Sequence, residues 1–382
     1  MSVSINPLDF VMPFLASGRQ NREGLCALSA YILAFSEAAR AAQPSPPHLV
    51  TTAENVQRLA DRISDAVEGA LALKERAREE AYKAVRDNPF YLKTAGTVIQ
   101  NDQMIVLIAV GKDGLALECA STALRNNQEV VLAAVEQNGL ALRFVSIELR
   151  QNRTVVSEAV KKNGFALEFA SPELQEDLEM VRLAVGQSGL ALQFAKENAQ
   201  DDYGCVSTAV QQDGLALKFA SPALRQDPRV VALAVRKNGL AIEFAGPGLA
   251  GNRELALAAV RQDGMALRFL SEAFRNDSEL VHAAVQQNGL ALRFASTPLQ
   301  NNPKIVAEAL KKNGLALEFA SKQLRNDRKL VLGTVQHDGM ALQFASPVLQ
   351  DDSEIVEHAT RNKPEAIQFA GVKFQDIELV QS

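Results

Sequence analysis

Four histidines and three cysteines are the side chains of this 382-residue chain best suited to hold a metal or to act as base or nucleophile. Neither set is spaced for that work. Metal sites draw His and Cys ligands from close pairs, whereas His48 lies among prolines and His282, His337 and His358 fall at unrelated places. Cys26, Cys119 and Cys205 are far apart and odd in number, which supplies no disulfide framework. The latter two sit where small hydrophobic residues would. Asp213, Asp263 and Asp338 are candidate acids, but each precedes a glycine where other copies of the same segment carry Asn, and turn formation explains both types. No phosphate loop, nucleophile elbow or metal motif is present. The expectation is a protein that is no enzyme, with no catalytic residue, metal or cofactor.

The remaining chemistry is charge. Lys161-Lys162, Arg236-Lys237, Arg261 and Lys311-Lys312 stand just before Asn-Gly or Asp-Gly pairs, interspersed with amides such as Gln211-Gln212 and Gln286-Gln287, and Glu136 is the lone acid of the set. Such cations suit a helix C-terminus and could equally meet an acidic partner. A second set, Arg125, Arg150, Arg225, Arg275 and Arg325, could grip carboxylates with both arms of the guanidinium or pack along the next helix start. A third, Glu118, Arg143, Glu168, Lys218, Glu243, Arg268, Arg293 and Glu318, mixes signs as a solvated face does. A fourth changes in kind: Leu132, Arg182, Leu257, His282, Leu332 and Glu357 at one position, with Glu158, Leu183, Leu233 and Glu308 beside it. Exposed leucines there would mark an interaction face, and buried ones would be core.

What must position these ladders is a repeat. Glycine recurs at a spacing of 25 from Gly114 to Gly339, ten times without an insertion, and Pro89 and Pro364 occupy the same place at either end, for twelve units in all. Apolar residues at i, i+1, i+4 and i+5, as in Val130, Val131, Ala134 and Val135, line one side of a helix and would fall on both faces of a strand. An Asn or Asp before each such segment, from Asn127 to Asp352, suits an N-cap. The glycine is expected to end this first helix in a left-handed conformation. A second short helix then carries Leu-Ala-Leu-x-Phe-Ala, closed by Ser-Pro at Ser171, Ser221 and Ser346. The fold class is therefore all-α, an α-solenoid of about twelve two-helix units. One such unit buries too little to stand alone, so stacking must stabilise the array.

The domain division follows: 1–75 as a helical N-terminal region broken at Pro44–Pro47, and 76–382 as the solenoid. Glu23–Ala42 looks helical. Thr51 and Glu54 match a capping box, opening a long helix whose Val56, Leu59, Ile63, Val67 and Leu71 are expected to dock as an N-terminal cap. Asp376–Val380 resembles the start of a further unit, either capping the stack or cut short. Lys196 and Ala199, and the glycines Gly246, Gly248 and Gly251, depart from the repeat and are the places where a bend is expected.

The unit Ala-Val-x-x-Asn/Asp-Gly-x-Ala-Leu-x-Phe-Ala-Ser-x-x-Leu-Arg/Gln-x-Asp resembles the domain-of-unknown-function family 4116 over about Ala81 to Val380. The resemblance implies a repeat protein of bacteria associated with eukaryotic hosts, secreted effectors among them. It supplies no site residues.

Charge and hydropathy bound the partner. The net charge is -5, with 22% charged and 47% apolar residues, which is the composition of an ordinary soluble surface. The start of the chain lacks a basic stretch before its apolar patch, and Leu25–Phe35 is too short to span a bilayer, so neither a signal peptide nor a membrane span is expected. Location is then cytoplasmic, or inside a host cell after secretion without a classical signal. A host-directed scaffold for a protein or peptide partner is the expected function. The alternative is modular recognition of nucleic acid by the basic inter-helix turns. Residues 101–375 hold 29 basic against 32 acidic side chains, and only 226–325 lean positive, by 13 to 9. Phosphate binding asks for denser positive charge.

Overall fold

The computed structural model describes residues 47–249 and 251–374. Glu23–Ala42, Asp376–Val380 and the side chains of Val56, Leu59, Ile63 and Val67 lie outside the described residues, and with them the expectations placed there. The chain divides into two compact units, Met1–Tyr91 and Leu92–Ser382. In the first, helix α1 runs Pro47–Asp87. It begins ahead of Thr51, which therefore lies within the helix and not at its start: Pro47, tolerated in a first turn, opens the helix where a break had been expected.

The second unit is an all-α solenoid, with no strand among the described residues. Eleven ten-residue helices follow in step with the repeat: α2 (Gln103–Lys112), α3 (Gln128–Gln137), α4 (Arg153–Lys162), α5 (Leu178–Gln187), α6 (Tyr203–Gln212), α7 (Pro228–Lys237), α8 (Arg253–Gln262), α9 (Ser278–Gln287), α10 (Pro303–Lys312), α11 (Arg328–His337) and α12 (Ser353–Asn362). Those from α3 to α12 start on the expected caps, and α2 starts on Asp102. Asn152, for instance, accepts from the amides of Thr154 and Val155, and Asp352 from those of Glu354 and Ile355. Satisfying these first-turn donors contributes about 1 kcal/mol per helix. The apolar stripe is buried as its spacing demands, with Val230, Val231, Ala234 and Val235 of α7 all solvent-inaccessible.

The unit has three helical pieces rather than two. After each α-helix comes a six-residue 3-10 helix, such as Gly139–Phe144, and then a third piece of three to five residues, such as Leu149–Gln151 or Pro172–Glu176. Ser-Pro both stops one piece and opens the next. Ser171 and Ser346 are extended, as a residue before proline prefers, and the proline takes the first turn of the third helix.

The recurring glycine is not left-handed: none of the described glycines has a backbone in that region. The preceding Asn ends the α-helix instead. Asn138 turns extended (φ -146°, ψ 109°), and its side chain accepts from the amide of Leu140, so one residue terminates the α-helix and caps the 3-10 helix. Glycine is required by a neighbour. A Cβ on Gly139 would overlap the carbonyl oxygen of Ala159 in the following unit, and the same collision recurs from Gly114 with Ala134 to Gly339 with Ala359, save at Gly314, which meets Asp338. Only Gly allows that approach of backbone to backbone. The repeating glycine thus marks the contact between units.

Two further rungs tie unit to unit. The Ser146 amide donates to the Arg125 carbonyl at 3.1 Å, and its hydroxyl to Asn126 Oδ1 at 2.6 Å. The backbone rung persists where a bend was expected, from Lys196 to Gln175 at 3.1 Å and from Gly246 to Arg225 at 2.7 Å. There the hydroxyl rung is lost, because neither residue has one.

Candidate interaction edge

The last two residues of the α-helices are exposed, save the half-buried Gly186 of α5, and they carry the basic pairs of the sequence. Lys161, Lys162, Arg236, Lys237, Arg261, Lys311 and Lys312 are all exposed. Lys161 pairs with Glu158 at 2.7 Å and Lys311 with Glu308 at 3.1 Å. Among the described residues, Lys162, Arg236, Lys237, Arg261 and Lys312 make no ion pair.

The final position of the helix has a structural use that the sequence pattern concealed. Gln137 of α3 accepts from the Gly114 amide at 2.6 Å and donates to the Lys112 carbonyl at 3.1 Å, bridging to the unit before it. Gln262 and Gln287 make the same two bonds to the units preceding theirs, and Asn362 of α12 accepts from the Gly339 amide and donates to the Gln336 carbonyl, one residue earlier in register. Gln212 makes only a carbonyl bond, to Gly186 at 2.7 Å. An ammonium group cannot accept a hydrogen bond, so Lys162, Lys237 and Lys312 forgo the staple to Gly139, Gly214 and Gly289. Only the pairing of an amide with the glycine of the preceding unit could have disclosed this, and a helix-by-helix comparison does not look that far.

At the opposite end of the helices is a second inter-unit contact missed in sequence. Arg153 binds Asp177 and, at 2.7 Å, Glu179. Arg253 reaches Asp277 and Glu279 at 3.3 and 2.5 Å, and Arg328 reaches Asp352 at 2.9 Å as well as Glu354. Each bridges to the N-cap and first turn of the next helix. The guanidinium holds the carboxyls of Asp177 and Asp352 below the ordinary range.

The five arginines after the last leucine, Arg125, Arg150, Arg225, Arg275 and Arg325, are half-buried. Arg150 turns back on its own unit, donating to the carbonyls of Val145 at 2.9 Å and Arg143 at 2.5 Å at the end of the 3-10 helix. Burial pushes its pKa down. Glutamines at the equivalent place do likewise, Gln300 to the Arg293 carbonyl at 3.3 Å and Gln350 to the Gln343 carbonyl at 3.2 Å. The Nε atoms of Arg125, Arg225, Arg275 and Arg325 are buried without a hydrogen-bond partner.

The mixed-sign ladder lies along the 3-10 helices. Arg143 stands over Phe144 at 4.9 Å and Arg268 over Phe269 at 4.2 Å. Arg293 lies between two rings, 6.0 Å from Phe294 and 5.9 Å from Phe319. In this geometry a cation is attracted to the ring face. In the fourth set the leucines Leu132, Leu183, Leu233, Leu257 and Leu332 are half-buried, while Arg182, His282 and Glu357 are exposed. This line is a solvent-facing seam with apolar stretches. Where it meets the basic edge, a shallow open depression is lined by Arg261, Glu279, His282, Ala283, Gln286 and Gln287.

The candidate acids have structural partners. Asp213, Asp263 and Asp338 accept from the amides of Leu215, Met265 and Met340. His337 is exposed and His358 half-buried. Burial raises the Cys119 pKa and pushes that of Cys205 up to about 12, so neither is the reactive thiolate that nucleophilic chemistry needs. Among the described residues no group of three potential ligands could hold a metal ion, and no helix is long and apolar enough to cross a membrane.

A stack of like three-helix units, joined through the close approach at the recurring glycine and most varied at its surface, defines an α-helical solenoid repeat protein. More particularly, the chain belongs to the family described as Domain of unknown function (DUF4116), whose model matches in overlapping tandem copies from 78–125 to 327–375. Neither curated proteins nor solved structures gave a match.

Proposed function

We propose that this protein is a binding scaffold that holds a protein or peptide partner along its solenoid face and carries out no catalysis of its own. The observation that supports this most strongly is variation over a constant frame. At one position of six of the α-helices the side chain is Leu132, Arg182, Leu257, His282, Leu332 and Glu357 in turn, while the core beneath stays almost wholly apolar. A solenoid that displays different side chains at a fixed spacing offers an extended, addressable surface.

Capture on the immobilised full-length chain from a eukaryotic-cell lysate, with and without nuclease treatment, tests the reading. A protein retained in stoichiometric amount is the expected result. Retention of no protein, or loss of everything retained after nuclease, would overturn it, the latter in favour of nucleic acid. A secreted, host-directed role is proposed on the family resemblance alone. Its check is the appearance of a reporter-tagged chain inside host cells, and retention in the producing cell would contradict it.

A further inference from the structure

Resting on the scaffold reading, we infer that the edge formed by the C-terminal ends of α7 to α10 binds an acidic segment of the partner in extended form, with a carboxylate at about every third position. The starting point is a substitution that costs stability. At the last position of the α-helix an amide staples the unit to its predecessor, as Gln262 and Gln287 do within this same stretch. Lys237 and Lys312 give up that bond and present an ammonium group to solvent. Attraction for the helix C-terminus does not explain the choice, because a lysine one position earlier, as at Lys311, has the same attraction and leaves the staple position free.

The charges of this edge are also left unneutralised. Arg236, Lys237, Arg261 and Lys312 make no ion pair among the described residues. The nearby carboxylates are engaged elsewhere: Asp263 with the Met265 amide, Glu279 with Arg253 and Glu308 with Lys311. Between the cations lie hydrogen-bond donors, His282, Gln286 and Gln287, which line the depression with Arg261, Ala283 and the Arg253-paired Glu279.

Spacing selects the class of partner. Packed helices lie ~8–10 Å apart, so α7 to α10 spread four free cations over roughly 24–30 Å. A nucleic-acid duplex presents one phosphate charge per ~1.7 Å over that distance, far denser than these cations can match. An extended peptide advances ~3.3 Å per residue, so a carboxylate at every third residue meets one helix end after another.

The test uses the full-length chain and a fluorescein-labelled peptide of four Glu-Ser-Gln triplets, read by anisotropy at about 0.1 M salt, where the Debye length is ~10 Å. The triple variant R236Q/K237Q/R261Q is expected to weaken binding about tenfold, three exposed charge contacts' worth. A charge-matched control on the 3-10 face, R143Q/K218Q/R268Q, is expected to change it less than about twofold, since screening limits action at a distance. Equal weakening by both triples would overturn the assignment to this edge. So would tighter binding of a dT12 oligonucleotide than of the peptide, which would point to nucleic acid. If the peptide fails to bind while the unmodified chain still captures a protein, this inference falls and the scaffold reading stands. Thermal unfolding of the triple variant at or above the wild-type midpoint excludes misfolding as the cause of lost binding.

Discussion

At the scale of single residues, the same amino acid has opposite meanings at two places in the repeat. Gly239 faces the carbonyl of Ala259, whereas nothing lies within 4 Å of a Cβ placed on Gly333 inside α11. Gly239→Ala should therefore destabilise the second unit by about 1–3 kcal/mol through overpacking, and Gly333→Ala should stabilise it by about 0.5–1 kcal/mol through helix propensity. Urea unfolding of the two variants checks both signs. Lys237→Gln should restore the staple to Gly214 and the Gln212 carbonyl, raising stability by about 0.5–1.5 kcal/mol; an unchanged urea midpoint would show that the amide at this position is idle. The position and period of the glycine were plain in sequence. Its reason was not, because a left-handed turn and a close approach both demand Gly, and only the position of a backbone atom in the following unit separates them. The Asn before it was correctly linked to the turn, though its double duty as stop and cap emerges only from its extended backbone.

At the scale of the element, the α-helices were legible to the residue because cap, apolar stripe and breaker all agree, as at Asn152 and Asn163 of α4. The third helical piece was not: at three to five residues it is shorter than any periodicity can show, and Ser-Pro signals the end of one segment as readily as the start of another. The arginine bridges at the helix N-termini join one helix to the next, as from Arg153 to Asp177 and Glu179, beyond the reach of a local pattern. They carry a pH dependence with a definite sign. The Asp352 carboxyl is lowered from its usual 3.8, first by its hydrogen bond to Arg328. The stability it lends is fully present above the ordinary carboxyl value and is lost as pH falls toward the folded value. Arg328→Ala should therefore flatten the fall of the urea midpoint between about pH 5 and 3. An acid limb identical to that of the wild-type chain would show that these exposed bridges contribute nothing.

At the scale of the whole molecule, the repeat was visible at once, since an uninterrupted period leaves no architecture but a stack. Function was less legible. The seven exposed cations from Lys161 to Lys312 could be named from the sequence, but which of them are free could not, because Glu158 and Glu308 claim two of them through side-chain geometry. The half-buried leucines of the neighbouring seam likewise fall between the two outcomes that sequence could distinguish, core and surface. What unites these features is a division of labour: glycine contacts, amide staples, serine rungs and arginine bridges hold the stack, and side chains released from that duty face solvent. The central claim is that this released surface binds protein. Lysine-directed cross-linking of the full-length chain with its captured partner, read by mass spectrometry, tests it most directly. The account predicts links from Lys237 and Lys312 to residues flanking an acidic segment of the partner. Links confined to Lys218 and other positions on the 3-10 face, or none to any protein, would contradict it.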